Sequence, residues 1–297
     1  MMYEEIVVIG TGQGRLMMFI LELSEEDYIC KKALNIGDKN SYAIHSIFNY
    51  EKAIYMADSF NNKIYKYDMI SNEVNETNVG RDPRHMCVDK ENMYVANFES
   101  DNISIIDLKN FLLLGSIPAG IKAHDVIYSE KNNCLYTTCY EENQVLEYGL
   151  TTGKSRIFKT EGKPMHLVIY KDTIIVMTYF VNGSIHTKIN FINLYDGKIE
   201  KIIIIEGLAT DFQYDYINDM LYIINIVDKN LYLLDPLARK VINEIYLGGY
   251  PEAVTFDKNN IYVTNSKKQE ITIIEKNGPI KNSIHLQFVP DLIKAIY

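Results

Sequence analysis

The sequence predicts an all-β protein, a seven-bladed β-propeller built from four-stranded blades. Two observations lead to this prediction. The chain of 297 residues repeats a β-rich run, a short polar turn and a second β-rich run with a period of about 40 residues. Each repeat continues into a third strand that ends near a glycine, and then into a fourth short apolar strand. Four-stranded units repeated around an axis form a propeller, which protects its sheet edges.

The central two strands of the repeat are visible in six copies. Five copies read AIYMADSFNNKIYKYDM (53–69), NMYVANFESDNISIIDL (92–108), CLYTTCYEENQVLEYGL (134–150), MLYIINIVDKNLYLLDP (220–236) and NIYVTNSKKQEITIIEK (260–276). A sixth copy, TIIVMTYFVNGSIHTKINFINL (173–194), has a longer hairpin. The glycines that follow the third strands are Gly37, Gly80, Gly120, Gly162, Gly207 and Gly248, and the fourth strands include HMCVD, HDVIY, HLVIY, DFQYD and EAVTF.

The opening stretch EEIVVIGTGQGRLMMFILEL (4–23) has two interpretations. Glycines after an apolar strand are typical of dinucleotide-binding domains, but that fingerprint is G-x-G-x-x-G with a helix after it. Here the third glycine comes one residue early, and the segment after it matches strands elsewhere in the chain. We therefore interpret GTGQG as a hairpin turn and the stretch as the seventh copy.

Both ends of the chain contribute to one blade. The chain starts with the second strand of a blade, and its last residues, QFVPDLIKAIY, match LGGYPEAVTFD, which includes the innermost strand of another blade. The C-terminal strand should complete a mixed blade with the three N-terminal strands and close the ring. We expect residues 1–297 to form a single propeller domain.

Composition excludes several classes of function. The net charge of −9 argues against general nucleic-acid binding, which needs a basic face. No apolar run approaches the roughly 20 residues that span a bilayer, and the first residues do not resemble a signal peptide. The four cysteines lack zinc-finger and C-x-x-C spacings. We expect a cytoplasmic monomer with no nucleic-acid and no membrane partner.

The motifs YVAN (94–97) and YVTN (262–265) are each followed, after a turn, by ISIID or ITIIE, and later by a glycine with P-x-H or P-E. These motifs resemble the YVTN family of seven-bladed propellers, and the resemblance covers essentially the whole chain. It implies the fold but little about function, because members include many proteins of unknown role. The blade at 171–216 departs from the pattern, since VMTY replaces the motif and the blade is longer. The first blade has an extended return loop from Gly37 to His45.

One position of the repeat carries unusual residues. The alignment places the following at the start of the innermost strand of each blade: His45, His85, His124, His166, Asp211, Glu252 and Asp291. Four of the six histidines of the protein occupy it. Innermost strands line the channel of a propeller, so these side chains should ring one mouth of it. The loops that lead into the histidine half carry basic residues and could help to hold an anionic group: Arg81, Arg84, Lys122 and Lys163.

Three interpretations of this position stay open. The side chains can bond the backbone of the next blade, they can bind a small molecule, peptide or protein partner, or they can hold a metal. Imidazole and carboxylate are ligands of first-row divalent metals such as Zn, Cu, Fe or Mn. For a metal, His85, His124 and His166 form the best set, because they lie on successive blades at matching distances from their glycines. His45 follows a longer loop.

The sequence favours a non-catalytic binding propeller over an enzyme. The chain has no recognisable nucleophile elbow, Ser/His/Asp triad or phosphate loop. The alternative is a metal-dependent lyase or hydrolase. Streptogramin lyase looks similar in using a hub histidine with a divalent metal, although its motif has no residue-by-residue match here. In this alternative His85, His124 and His166 are acid/base candidates and Glu252 is the carboxylate partner.

Overall fold

Seven four-stranded antiparallel sheets, formed by strands β1 to β28, make up the structure. The structure is a computed structural model that describes residues 4–24, 27–276, 278 and 280–296. Within these residues the one helical element is a 3₁₀ turn, Tyr140–Glu142. No helix in the described part of the chain is long and apolar enough to cross a membrane. The seven-bladed β-propeller predicted from the repeats is confirmed.

The chain divides into two compact units, one formed by Met1–Tyr42 with Gly207–Tyr297 and the other by Ala43–Glu206. We call them the three-blade unit and the four-blade unit and describe each by itself. The expectation of a single domain stays a prediction.

The four-blade unit contains β4 to β19. Its first blade consists of β4 (Ile44–Tyr50), β5 (Ala53–Asp58), β6 (Lys63–Asp68) and β7 (Val74–Asn78). The second consists of β8 (Pro83–Val88), β9 (Asn92–Asn97), β10 (Asn102–Asp107) and β11 (Leu112–Pro118). The third consists of β12 (Ala123–Ser129), β13 (Cys134–Cys139), β14 (Gln144–Gly149) and β15 (Ser155–Lys159). The fourth consists of β16 (Lys163–Tyr170), β17 (Thr173–Asn182), β18 (Ser184–Asn193) and β19 (Ile199–Glu206).

The three-blade unit contains the remaining strands. One blade consists of β20 (Ala209–Asp215), β21 (Met220–Asn225), β22 (Asn230–Asp235) and β23 (Lys240–Tyr246). The next consists of β24 (Pro251–Phe256), β25 (Asn260–Asn265), β26 (Glu270–Glu275) and β27 (Ile280–His285). The mixed blade has the order β28 (Val289–Ala295), β1 (Glu4–Gly12), β2 (Arg15–Leu23) and β3 (Tyr28–Asp38).

The hydrophobic core lies between the faces of neighbouring blades. In β5 all six residues are buried, and in β9 and β13 the five residues after the first are buried. Tyr55 and Ile64 of one blade pack with Met93 and Ile106 of the next. A strand covered on both faces needs apolar residues at consecutive positions, which explains the continuous runs in the repeat. The outermost strands, such as β7 and β11, are largely exposed.

The glycines of the opening stretch have structural reasons. Gln13 and Gly14 form the two-residue turn between β1 and β2, and their φ angles are 51° and 76°. Positive φ at both positions is the pattern of a type I′ hairpin. At Gly10 a Cβ atom would lie 2.5 Å from the carbonyl oxygen of Val289, so only glycine lets β28 approach there. A strand follows the turn, and the interpretation of GTGQG as a hairpin is confirmed.

The mixed blade is completed by the C-terminal strand as predicted. β28 pairs antiparallel with β1, from Ile6 opposite Ala295 to Thr11 opposite Val289. The long return segment of the first blade is also present, since β3 ends at Asp38 and β4 begins only at Ile44. The longer blade predicted at 171–216 is confirmed, because β17 and β18 have ten residues each.

Candidate functional site

The first strand of every blade carries a β-bulge near its start. In β8, Pro83 pairs with Asn97 and Met86 pairs with Val95, so two residues of β8 lie opposite one residue of β9. Equivalent register shifts occur at the start of β4, β12, β16, β20, β24 and β28. A bulge adds one residue to a strand and changes the direction of the side chains around it, and bulges are common beside functional sites.

The bulge corrects the sequence alignment, which placed seven candidate residues in one register. The first bulge position holds His45, His124, Glu252 and Asp291. The second bulge position, one residue later, holds His85, His166 and Asp211. The prediction that all seven residues occupy one equivalent position was wrong. An alignment on the preceding glycines does not reveal an extra residue inside a strand.

The bulges bring four histidines of the four-blade unit into one cluster. The ring centroids of His45 and His85 lie 5.1 Å apart, and those of His85 and His124 also lie 5.1 Å apart. The ring of His166 lies 4.7 Å from that of His85 and 5.1 Å from that of His124. The ring of His45 also lies 5.3 Å from that of His124. We call these four residues the histidine cluster.

The orientation of His124 fixes which of its nitrogens is available. Its Nδ1 lies 3.1 Å from the carbonyl oxygen of Met165 on the next blade. A carbonyl only accepts, so Nδ1 carries the proton and donates, which leaves the lone pair of the neutral ring on Nε2. This Nε2 is buried and has no hydrogen-bond partner among the described residues, and the same is true of Nε2 of His85.

Three of the four histidines have nitrogens close enough together to bind one ion. One nitrogen from each of His45, His85 and His124 lies within 4.8 Å of the others. His166 is directed differently, because its Nδ1 faces a carboxylate oxygen of Asp125 at 3.5 Å. The set chosen from the sequence, His85, His124 and His166, thus contains two members of this triad, while His45 is the third.

Burial keeps His45, His85 and His124 uncharged. It lowers the pKa of His45 to about 3, with smaller contributions from the charges of Arg84 and His166. Burial also lowers the pKa of His85 and of His124 well below the ordinary histidine value, and for His85 the carboxylate of Asp125 opposes the shift. At neutral pH these three rings are neutral, and a neutral imidazole is the form that binds a metal.

The basic residues predicted beside the cluster are each engaged. Arg84 pairs with Asp82, with Nη2 3.0 Å from Oδ2, and Lys163 pairs with Glu141 at 2.6 Å. Lys122 forms an ion pair with Glu99, and Arg81 donates to the carbonyl oxygen of Glu99 at 3.0 Å. Aromatic rings lie under three of the cations: Arg84 and Lys122 lie 3.5 Å and 5.0 Å from the ring centroid of Phe98, and Lys163 lies 4.6 Å from that of Tyr140.

The three carboxylates among the seven candidate residues belong to the three-blade unit. Asp211 has a structural role, because it accepts hydrogen bonds from the backbone N–H groups of Phe212 at 2.7 Å and Val254 at 2.8 Å. Glu252 accepts from the hydroxyl of Ser266 at 2.5 Å, and burial raises its pKa. Desolvation and the neighbouring Glu252 carboxylate raise the pKa of Asp291 to about 6.

Sequence reasoning missed Asp125 and Phe98. Asp125 occupies the same second bulge position as Asp211 and binds the backbone in the same way, accepting from Val126 at 2.8 Å and from Leu167 at 3.2 Å. The similarity of AHDV and ATDF was visible in the sequence. The ring of Phe98 lies 6.1 Å from that of His124 and supports Arg84, and only the folded structure shows this neighbourhood.

No protein-family model and no curated protein matches the chain. Many solved structures do. A Bacteroides uniformis protein provisionally described as a 6-phosphogluconolactonase matches over 100% of both chains with a TM-score of 0.74 and 12% identity. The periplasmic gluconolactonase of Pseudomonas aeruginosa matches over 99% of both chains with a TM-score of 0.71 and 13% identity. Streptogramin B lyase matches over 84% of this chain and 86% of its own, with a TM-score of 0.69 and 15% identity. At such identities the likeness shows the fold alone, and the resemblance to the YVTN family stays a prediction.

Proposed function

We propose that this propeller is a binding protein whose ligand site is built on the histidine cluster, and that the cluster holds a divalent transition metal. The observation that carries the proposal is the triad of His45, His85 and His124, whose nitrogens lie within 4.8 Å of one another. Bonds of about 2.1 Å at tetrahedral angles require nitrogens about 3.4 Å apart. The rings would therefore draw together by small side-chain movements on binding.

The chemistry of the cluster supports a metal in two ways. Buried Nε2 atoms of His85 and His124 without partners in the described structure are costly unless something binds them. His124 donates its other nitrogen to a backbone carbonyl, an arrangement that orients metal-bound histidines in many proteins. Imidazole ligands favour zinc, copper or iron, whereas manganese prefers oxygen ligands.

Metal content of the protein, purified without a histidine tag, tests this proposal. We expect about one equivalent of zinc, copper or iron after reconstitution, measured by mass spectrometry of the metals, and its loss in His124→Gln. His285→Gln is the matched control, because His285 is an exposed residue at the end of β27. A parent protein that takes up no metal would overturn the proposal, as would equal retention by the two variants.

The second candidate is a metal-dependent lyase or hydrolase. Three neutral histidine ligands leave a fourth position of a tetrahedral metal open, which is the arrangement of catalytic zinc sites. The structural likeness to a gluconolactonase and to streptogramin B lyase makes lactones and cyclic depsipeptides the first substrates to test. Turnover that requires added metal and disappears in His124→Gln would favour this candidate over pure binding.

We also propose that the protein is located in a reducing compartment such as the cytoplasm. All four cysteines are free thiols: Cys30, Cys87, Cys134 and Cys139. Burial raises the pKa of the Cys139 thiol to about 12, so this thiol stays protonated and reacts slowly with oxidants. Fractionation of the native cell, with thiol labelling before and after reduction, tests this proposal. Labelling that increases after reduction would contradict it.

A further inference from the structure

We infer that the ligand completing the coordination of the bound metal is a small carboxylate, one oxygen of which lies on the metal while the other is held by the guanidinium of Arg84. This inference rests on the proposed metal site and names the class of molecule that it takes. Arg84 occupies the first bulge position of β8. That position holds His45 in the preceding blade and His124 in the following one. Arg84 therefore lies between two ligands of the triad in blade order.

The guanidinium of Arg84 is held in place rather than free. Its Nε and Nη2 both donate to the carboxylate of Asp82, and its plane lies against the ring of Phe98, with 3.5 Å from Cζ to the ring centroid. Phe98 in turn lies 6.1 Å from the ring of His124.

One edge of this guanidinium is available for a ligand. Nη1 has no hydrogen-bond partner among the residues that the structure describes, and the side chain keeps 20% of its surface exposed. The N–H groups of Nη1 can donate to the carboxylate oxygen that does not bind the metal, and a hydrogen bond between two charged groups is stronger than one between neutral groups. An arginine fixed by an acid on one edge and an aromatic ring on its face is preorganised for such an anion.

Charge balance favours an anion at the same place. Three neutral imidazoles leave a divalent metal with its full double charge, and the metal then dominates the local electrostatics. The carboxylate of Asp125, which faces His166, is already bonded to the N–H groups of Val126 and Leu167. An anion between the metal and Arg84 would offset the repulsion between the two cations. A neutral ligand such as water would leave that repulsion in place.

The experiment uses the full chain loaded with Co²⁺, whose visible absorption changes when its ligands change. Acetate is titrated into the loaded protein, and acetamide, which has the same shape without the charge, is the control ligand. We expect acetate to bind and Arg84→Gln to weaken it about tenfold or more, since hydrogen bonds to charged groups contribute about 1.5–3 kcal/mol. Arg84→Lys should give an intermediate value, because it keeps the charge and loses the guanidinium.

Arg156→Gln is the matched control, since Arg156 also lies against an aromatic ring, that of Phe158, and donates to the backbone carbonyl of Leu194, and it is not one of the candidate site residues. It should leave acetate affinity unchanged. Cobalt affinity should be equal or higher in Arg84→Gln, because a neighbouring cation has been removed. If Co²⁺ binds but acetate binds the parent, Arg84→Gln and Arg84→Lys equally, the inference is wrong and the metal proposal stands. If the parent binds no Co²⁺, both fail together.

Discussion

At the scale of single residues, identical side chains in the histidine cluster have different roles because their neighbours differ. His124 has one nitrogen fixed by the carbonyl oxygen of Met165 and the other without a partner in the described structure. His166 faces the carboxylate of Asp125, and it is 7% exposed. His45 and His85 are half-buried, and burial is the largest cause of the low pKa of each. Neutral donors thus lie together where water is partly excluded.

The low pKa values predict acid sensitivity of the metal-free protein. Below about pH 6.5 the unfolded chain protonates its histidines, whereas folded His45 stays neutral down to about pH 3. Stability that is fully present above pH 6.5 is therefore lost as the pH falls toward 3. Each such histidine should contribute a slope of up to about 1.4 kcal/mol per pH unit. Urea unfolding of the metal-free protein at several pH values between 7.5 and 5 measures this slope.

His124→Gln should unfold with a shallower pH dependence than the parent, because Gln has no proton to take up. His285→Gln, which changes an exposed residue, should keep the parental slope. Equal slopes for the parent and His124→Gln would contradict the assignment of a low pKa to His124.

At the scale of elements, a carboxylate at the second bulge position connects the first strands of successive blades. Asp211 of β20 accepts from Val254 of β24, and Asp125 of β12 accepts from Leu167 of β16. In each case the other carboxylate oxygen accepts a hydrogen bond from the backbone N–H of the following residue, Phe212 or Val126. The bulge opens the strand so that one side chain can satisfy backbone donors in two blades.

Asp211→Ala should therefore destabilise the protein by about 1.5–3 kcal/mol, since it removes charge-assisted hydrogen bonds and leaves N–H groups without their acceptor. Urea unfolding measures the loss. Glu244→Ala, at an exposed position of β23, is the control and should change stability by less than about 0.5 kcal/mol. A similar small effect for both variants would show that Asp211 does not connect β20 with β24.

At the scale of the whole molecule, the mixed blade joins the two ends of the chain. β28 completes the sheet of β1, β2 and β3, and Ile293 and Ala295 are buried in a core cluster with Ile6 and Val8. Removing β28 exposes one edge of β1 and one side of this cluster. Because the strand comes from the far end of the chain, its pairing closes a long loop and links distant parts of the sequence.

Truncation before Val289 should abolish cooperative unfolding or lower the melting temperature by well over 10 °C, because it removes the buried side chain of Ile293, worth about 2–5 kcal/mol, together with every hydrogen bond between β28 and β1. Thermal unfolding followed by circular dichroism measures this effect. Val289→Ala, at a position 36% exposed, is the control and should melt within a few degrees of the parent. A truncated protein that melts like the full chain would refute the closing role of β28.

The sequence alone determined the number of blades, the strands of each blade, the hairpin at GTGQG and the pairing of the two termini. These features follow from local patterns, such as apolar runs and turn residues, which recur in every repeat and reinforce one another. It also identified the four histidines as a group, since they recur at nearly the same place after a glycine.

Only the tertiary structure decided how those histidines meet. A bulge changes the register inside a strand by one residue, and strand propensity does not reveal it, so the single register expected for His45 and His85 was wrong. The same limit applies to the contacts of Phe98 with His124 and of Asp125 with His166, which join side chains of different blades. Such contacts depend on long-range packing, and local sequence signals carry no information about which distant side chains a given residue will face.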